Sequence, residues 1–218
     1  MGIKRLNFSL DTLDPVKFEQ ITSRNRFQQV WDAVFTSHEL GITPIKLNAV
    51  ILRGINDDEI EAITALTLKY PFHIRFIEYM PMGNSAVEKQ QQVLTEEIKA
   101  KIESRFGTLE AVKKDADDGP AKKFRIEGAK GIVGFITPIS SHFCAECNRL
   151  RLTSRGTLRP CLLNNYEKDI INFLRSGASD HELKDIILSV LAKKPSFHGL
   201  TGSSVKGVPI SHMTSIGG

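Results

Sequence analysis

Cysteine is scarce in this chain: of 218 residues only three are cysteine, and none precedes Cys144. A sparse, odd set excludes a simple disulfide framework and points to reduced thiols in a cytoplasmic setting. No apolar run approaches the roughly 20 residues that span a bilayer. The opening Met1-Gly2-Ile3-Lys4-Arg5 carries no secretory apolar segment. Position 6 is Leu where a myristoylation signal requires Ser or Thr. No membrane partner is therefore expected. There is no Gly-x4-Gly-Lys-Ser/Thr loop, so nucleotide binding cannot be argued from a phosphate loop. Aromatics make up only 7% and the net charge is +4. No long basic stripe interleaved with aromatics is present, which argues against nucleic acid. The mild positive balance suits a small anionic ligand.

What is present fits a globular chain: 41% hydrophobic and 25% charged residues. The length allows one large domain, or one domain with a cysteine-bearing extension. Leu6 to Leu10 alternates and predicts a strand. Helices are expected from about Pro15 and from Asn25 to His38, with Gly41 as a stop. Ile45 to Leu52 predicts a second strand. Asn56 with Glu59 predicts a capping box for a helix ending near Tyr70. Phe72 to Tyr79 predicts a third strand, and Thr95 to Ser104 a helix. Strands alternating with helices imply an α/β fold, with a parallel sheet and its sites on loops after strand ends. Ser9, Lys46, Arg53 and Met80 lie in or just after those strands. After Gly107 the pattern changes. Lys122–Ile126 and Gly131–Ile136 read as a strand ribbon, followed by the cysteine block and by helices near Glu167–Leu174 and after Ser179. Ser179 and Glu182 form a capping box, and Leu183, Ile186, Ile187, Val190 and Leu191 share one helical face.

The cysteine block carries the chemistry. Two residues separate Cys144 from Cys147, and thirteen separate Cys147 from Cys161. Three thiolates can hold an iron–sulfur cubane with one iron open to another ligand. Zinc is the alternative, and needs a fourth ligand such as His142. Three ordinary buried thiols are the third reading. Arg149 and Arg151 lie between the proposed ligands, with Arg159 near the third. Guanidinium groups fork onto phosphate or carboxylate.

Around these residues the chain resembles the molybdenum-cofactor GTP 3',8-cyclase (MoaA) family of radical S-adenosylmethionine enzymes. The likeness runs through Gly134-Phe135-Ile136-x-Pro138-Ile139-Ser140 and Phe143-Cys144-Ala145-x-Cys147-Asn148-Arg149-Leu150-Arg151-Leu152. It continues in Gly156-x-Leu158-Arg159-x-Cys161-Leu162 and the terminal Ile216-Gly217-Gly218. Upstream, Asn7-x-Ser9-Leu10-Asp11-Thr12-Leu13, Asn48-Ala49-Val50 and Arg75-Phe76-Ile77-Glu78-Tyr79-Met80-Pro81 resemble the family's barrel strands.

The resemblance implies a partial (βα) TIM-like barrel over residues 1–107 and an iron–sulfur and GTP-binding region over 108–218. It implies that Cys144, Cys147 and Cys161 ligate a 4Fe–4S cluster beside GTP, and that Arg149, Arg151 and Lys46 contact GTP. Ser9 and Met80 resemble positions lining the S-adenosylmethionine pocket, and Gly217 and Gly218 a tail that enters the active site. The family is a lyase of molybdenum cofactor biosynthesis. In it a second 4Fe–4S cluster, held by an N-terminal Cys-x3-Cys-x2-Cys loop, cleaves S-adenosylmethionine to a radical. The radical takes hydrogen from C3' of GTP, and the product is 3',8-cyclo-7,8-dihydro-GTP. Cyclic pyranopterin monophosphate synthase (MoaC) consumes that product, and the complete enzyme is expected to be a homodimer. This chain departs from the pattern in lacking the first cysteine motif. The expectation is therefore an N-terminally truncated member with no radical-generating residue of its own, inactive alone. A non-catalytic GTP-binding iron–sulfur module and a zinc-bound structural protein are the alternatives.

Overall fold

The computed structural model describes residues 2–80, 89–113, 119–141, 144, 147 and 149–196. The early alternation becomes β1, Leu6–Ser9, followed by α1, Pro15–Thr22. The Asp14 carboxylate accepts from Val16 N at 2.7 Å and Lys17 N at 3.2 Å, and Pro15 fills the first helical position, where no donor is needed. Then come α2 (Phe27–Glu39), β2 (Ile45–Val50), α3 (Ile60–Lys69), β3 (His73–Ile77) and α4 (Thr95–Phe106). A strand not expected from the sequence, β4 (Glu110–Val112), precedes β5 (Lys122–Arg125) and β6 (Ile132–Ile136).

The sheet order is β1-β2-β3-β6-β5-β4. β1, β2, β3 and β6 run parallel, and β5 and β4 are added antiparallel. The α/β class expected from the alternation is present. Among the described residues the sheet is open, with β1 and β4 at its ends, and no closure into a barrel is seen. One face of the sheet carries Ile45, Leu47, Ala49, Ile74, Phe76, Val133 and Phe135, all buried with Phe18, Val34, Ile60, Ile63, Ile98 and Ile102 of the helices. Burial of this apolar set drives the fold. Rings of Phe27, Trp31 and Phe35 run in series, and Phe35 meets Tyr70 and Phe72 edge-on at 5.0 and 5.8 Å between centroids.

Asn56 does not cap α3 as expected. The helix begins three residues later, behind Glu59. Asn56 is fully buried, donates to Asp11 O (2.6 Å) and Val50 O (2.9 Å), and accepts from Leu52 N (2.8 Å). Glu59 turns instead to Thr12 Oγ1 (2.6 Å) and Leu13 N (2.7 Å). Donors and acceptors from the β1 loop outcompete the local box.

The chain divides into two compact units, Met1–Tyr79 with Glu88–Ser141, and Met80–Val87 with His142–Gly218. The first reaches further than residue 107 because β6 pairs directly with β3 and brings the β4–β5 ribbon into the main sheet. The second holds a small antiparallel sheet of β7 (Arg151–Leu152), β8 (Thr157–Arg159) and β9 (Lys168–Asp169). Its helices are α5 (Ile171–Arg175) and α6 (Asp180–Ala192). The helix expected from Glu167 starts later because Lys168 and Asp169 pair with β8. The Ser179 capping box is present, with Glu182 N donating to Ser179 Oγ at 3.3 Å and Ser179 N to Glu182 Oε2 at 2.8 Å. Of the expected apolar face of α6, Val190 is buried and Leu183 and Ile186 are half-buried, whereas Ile187 and Leu191 are exposed.

Candidate functional site

In the first unit the face of the sheet away from the helices carries two mainly polar rows beside an apolar one of Val50, Ile77 and Ile136, and register explains it. Residues paired across a ladder point to the same side. Asn7, Lys46, His73 and Ile132 form one row, and Ser9, Asn48, Arg75 and Gly134 the next. Lys123 of β5 pairs with Gly134 and extends the second row. Lys46 is only 9% exposed. Arg75 Nη1 donates to Asn7 Oδ1 at 3.2 Å. A side chain at Gly134 would crowd Arg75, since a Cβ there would lie 3.3 Å from Arg75 Cγ. A small cleft beside this row is lined by His73, Arg75, Ala121, Lys123 and Ile132. Asn48 Oδ1 is buried without a hydrogen-bond partner among the described residues. Cations in two rows with an orphaned acceptor suit a polyfunctional anion that also donates a hydrogen bond.

The cysteine block belongs to the second unit. Cys144 and Cys147 share one turn, closed by Cys147 N donating to Cys144 O at 3.2 Å. Cys161 follows β8; none of the three cysteines is in a disulfide, and all are half-buried. Arg151 on β7 pairs with Arg159 on β8, so two guanidinium-bearing residues face the same way. Like charges set opposite each other are unfavourable unless something compensates them. Glu167 compensates Arg159, with Arg159 Nη1 donating to Glu167 Oε1 at 2.7 Å. Arg151 is half-buried. Burial first, then the charges of Arg149 and Arg159, pull its guanidinium below the usual pKa. An anion placed there would relieve both pressures. Arg149 is exposed, and its carbonyl accepts from Lys194 Nζ at 2.8 Å. The β7–β8 turn depends on Gly156, which has φ +75° and whose Cβ would sit 2.5 Å from Ile171 Cβ.

Of the residues expected from sequence, Ser9 and Lys46 lie on the polar face of the first unit, Ser9 exposed at the end of β1 and Lys46 buried in β2. Met80, Cys144, Cys147, Arg149, Arg151 and Cys161 belong to the second unit. Gly217 and Gly218 lie outside the described residues, as does His142. Arg53 is exposed and forks onto Glu97 at 2.9 and 2.6 Å, away from any site. Arg75, Asn48, His73 and Lys123 were not singled out from the sequence. Their signal was there: in His73-Ile74-Arg75-Phe76 the polar residues alternate with buried ones, in step with Lys46 and Asn48.

Three cysteines outside any disulfide, in the same unit as Arg149 and Arg151, are the soft donor type that an iron–sulfur cluster takes. Among the described residues no three His, Cys, Asp or Glu side chains are gathered as ligands of a single ion. No helix among the described residues is long and apolar enough to cross a membrane.

Comparison with known proteins gives two family matches. Residues 1–67 match the Radical SAM superfamily, and residues 72–200 match Molybdenum Cofactor Synthesis C. The chain is 43% identical over 217 residues to a GTP 3',8-cyclase of Thermodesulfovibrio yellowstonii, covering 100% of this chain and 66% of that protein. It is 48% identical over 197 residues to the GTP 3',8-cyclase of Moorella thermoacetica, covering 90% and 61%. A GTP 3',8-cyclase of Nostoc sp. is 43% identical over 224 residues, covering 100% and 67%. The chain thus spans 61 to 67% of the length of these relatives.

Proposed function

We propose that this chain, which belongs to the GTP 3',8-cyclase family, is the portion of such an enzyme that binds GTP on a three-cysteine iron–sulfur cluster. The observation that supports the reading is that the second unit holds three half-buried cysteines, none in a disulfide, and also Arg151, a guanidinium under positive pressure from its neighbours. Cys144, Cys147 and Cys161 would hold the 4Fe–4S cluster. When bound, that cluster supplies an open iron as a Lewis-acidic contact for the purine. Arg149 and Arg151 would bind the phosphates or sugar, and Lys46 would give a further GTP contact. Ser9 and Met80 would line the S-adenosylmethionine pocket of the complete enzyme, built on the barrel expected from the resemblance. Gly217 and Gly218 would form the tail that enters the site. The reaction class is a lyase of molybdenum cofactor biosynthesis acting in the cytoplasm. Its product would be passed to cyclic pyranopterin monophosphate synthase, and the complete enzyme would be a homodimer. No cysteine precedes Cys144, so these 218 residues offer no second trio of thiolates to hold the cluster that would reduce S-adenosylmethionine.

The test is anaerobic reconstitution followed by iron, sulfide and zinc analysis. Stoichiometric iron and sulfide are expected, with Cys161→Ser losing most of both. Arg149→Ala should keep its iron and bind GTP about tenfold more weakly, about 1.4 kcal/mol. With S-adenosylmethionine, reductant and GTP, the chain alone should form no cyclised product. Stoichiometric zinc without sulfide would instead establish the structural-metal reading. A cluster-loaded chain that never binds GTP would defeat the nucleotide reading.

A further inference from the structure

Arg159 differs from its two neighbouring arginines. It is 0% exposed, the largest fully buried side chain among the described residues. Burying a guanidinium is costly unless its donors are matched; Nε finds no hydrogen-bond partner among the described residues, and Nη1 and Nη2 are turned to the loop that bears Cys161. Nη1 donates to Glu167 Oε1 at 2.7 Å, and Nη2 to Asn164 O at 2.5 Å. The far side of Glu167 is held too, since Oε2 accepts from Thr157 Oγ1 at 2.8 Å, which in turn meets Thr153 Oγ1 at 2.7 Å. Asn164 Oδ1 accepts from Tyr166 N at 2.7 Å and closes the last turn of the loop. Leu158 and Leu163 are buried on either side of Cys161. The thiol therefore sits on a short loop whose start (Arg159), middle (Asn164) and end (Glu167) are tied together by one cation.

We infer that Arg159 is a positioning residue that presents Cys161 before any metal arrives, and that it takes no part in binding the anion. This rests on the reading that Cys161 is a ligand, but the loop-holding role stands without metal. A planar guanidinium bridges Asn164 O and Glu167 at once, whereas an ammonium is a single point charge and cannot span both in the same geometry. Arg159 thus shapes the loop, whereas Arg149 and Arg151 are the arginines assigned to the anion.

The experiment compares the metal-free 218-residue chain with Arg159→Lys and Glu167→Gln variants by alkylation with iodoacetamide, mapped cysteine by cysteine. The same proteins are then reconstituted anaerobically for iron and sulfide. In Arg159→Lys, Cys161 should react at least about tenfold faster while Cys144 and Cys147 keep their parent rates. Glu167→Gln preserves an acceptor and should give a smaller rise confined to Cys161. Iron and sulfide should fall in the same order, and GTP bound per remaining cluster should not change. An unchanged Cys161 rate would overturn the inference. So would acceleration of all three cysteines together, which would mean that the unit opens as a whole. Full iron with lost GTP affinity in Arg159→Lys would make Arg159 a substrate contact and overturn it as well. A parent that holds no iron would defeat the cluster reading, while the metal-free alkylation would still decide the role of Arg159.

Discussion

Beyond the end of β3 a single carboxylate collects four donors. Glu78, 2% exposed, accepts from Thr95 N (3.1 Å) and Ser140 Oγ (2.5 Å) on Oε1, and from Ile139 N (3.0 Å) and Ser140 N (2.9 Å) on Oε2. Burial alone would raise its pKa, but the bonds from Ser140, Thr95 and Ile139 together outweigh it and hold the group below 4.5. The sign follows. A carboxylate whose folded pKa is depressed contributes stability above its unfolded pKa, and that contribution is lost as the pH falls through the folded value. Urea midpoints should therefore fall below about pH 4.5, and Glu78→Gln should remove that part of the acid dependence. At pH 7 the variant should cost about 2 kcal/mol, because an amide must turn its own N–H groups toward donors. An acid profile identical in parent and variant would contradict this. Glu78 was invisible in the sequence because its partners lie 17, 61 and 62 residues away. The three cysteines and Arg149 and Arg151 could be named as candidates because their spacing is local.

Elements were legible where their determinants are short-range. The α6 capping box needs only Ser179 and Glu182, and it forms as expected. Ser179→Ala should cost about 1 kcal/mol and speed amide exchange in the first turn of α6. Protection in α3 should stay unchanged. Loss in both helices would mean that the cap is not local. The Asn56 box failed for the opposite reason. Its three hydrogen bonds hold the segments after β1 and β2, and burial of an amide is tolerated only when such partners are found. β4 escaped detection because three residues carry too little pattern, and only pairing with β5 makes it a strand. The polar face of the first sheet was half legible. Lys46 and Ser9 stood out singly, but the rows that join them to Asn48 and Arg75 exist only once the register of β1, β2 and β3 is set.

At the scale of the molecule the two units are unequally furnished. The main hydrophobic cluster, from Leu10 to Phe135, lies entirely within the first unit. Among the described residues the second unit buries only Leu158, Leu163 and Val190 as apolar side chains, and much of its interior polarity is the Thr153–Thr157–Glu167–Arg159 network. A core that small offsets little chain entropy, and units of this kind are stapled by metal or disulfide. None of the three cysteines in this unit is in a disulfide, so the proposed cluster would be its staple. Ligand binding to the folded form alone raises its stability, because the site does not exist in the unfolded chain. Calorimetry of the reconstituted chain should show two transitions. Removing iron with a chelator should lower that of the second unit by about 10 °C, as expected for roughly 2 kcal/mol in a unit of this size. The first-unit transition should stay in place, since its sheet and helices hold no thiol. Exchange protection in β8 and α6 should fall with the second transition, while that in β2 and β3 persists. One transition that shifts as a whole would mean that the two cores unfold as one, and no shift in either would mean that the thiols hold nothing the fold requires.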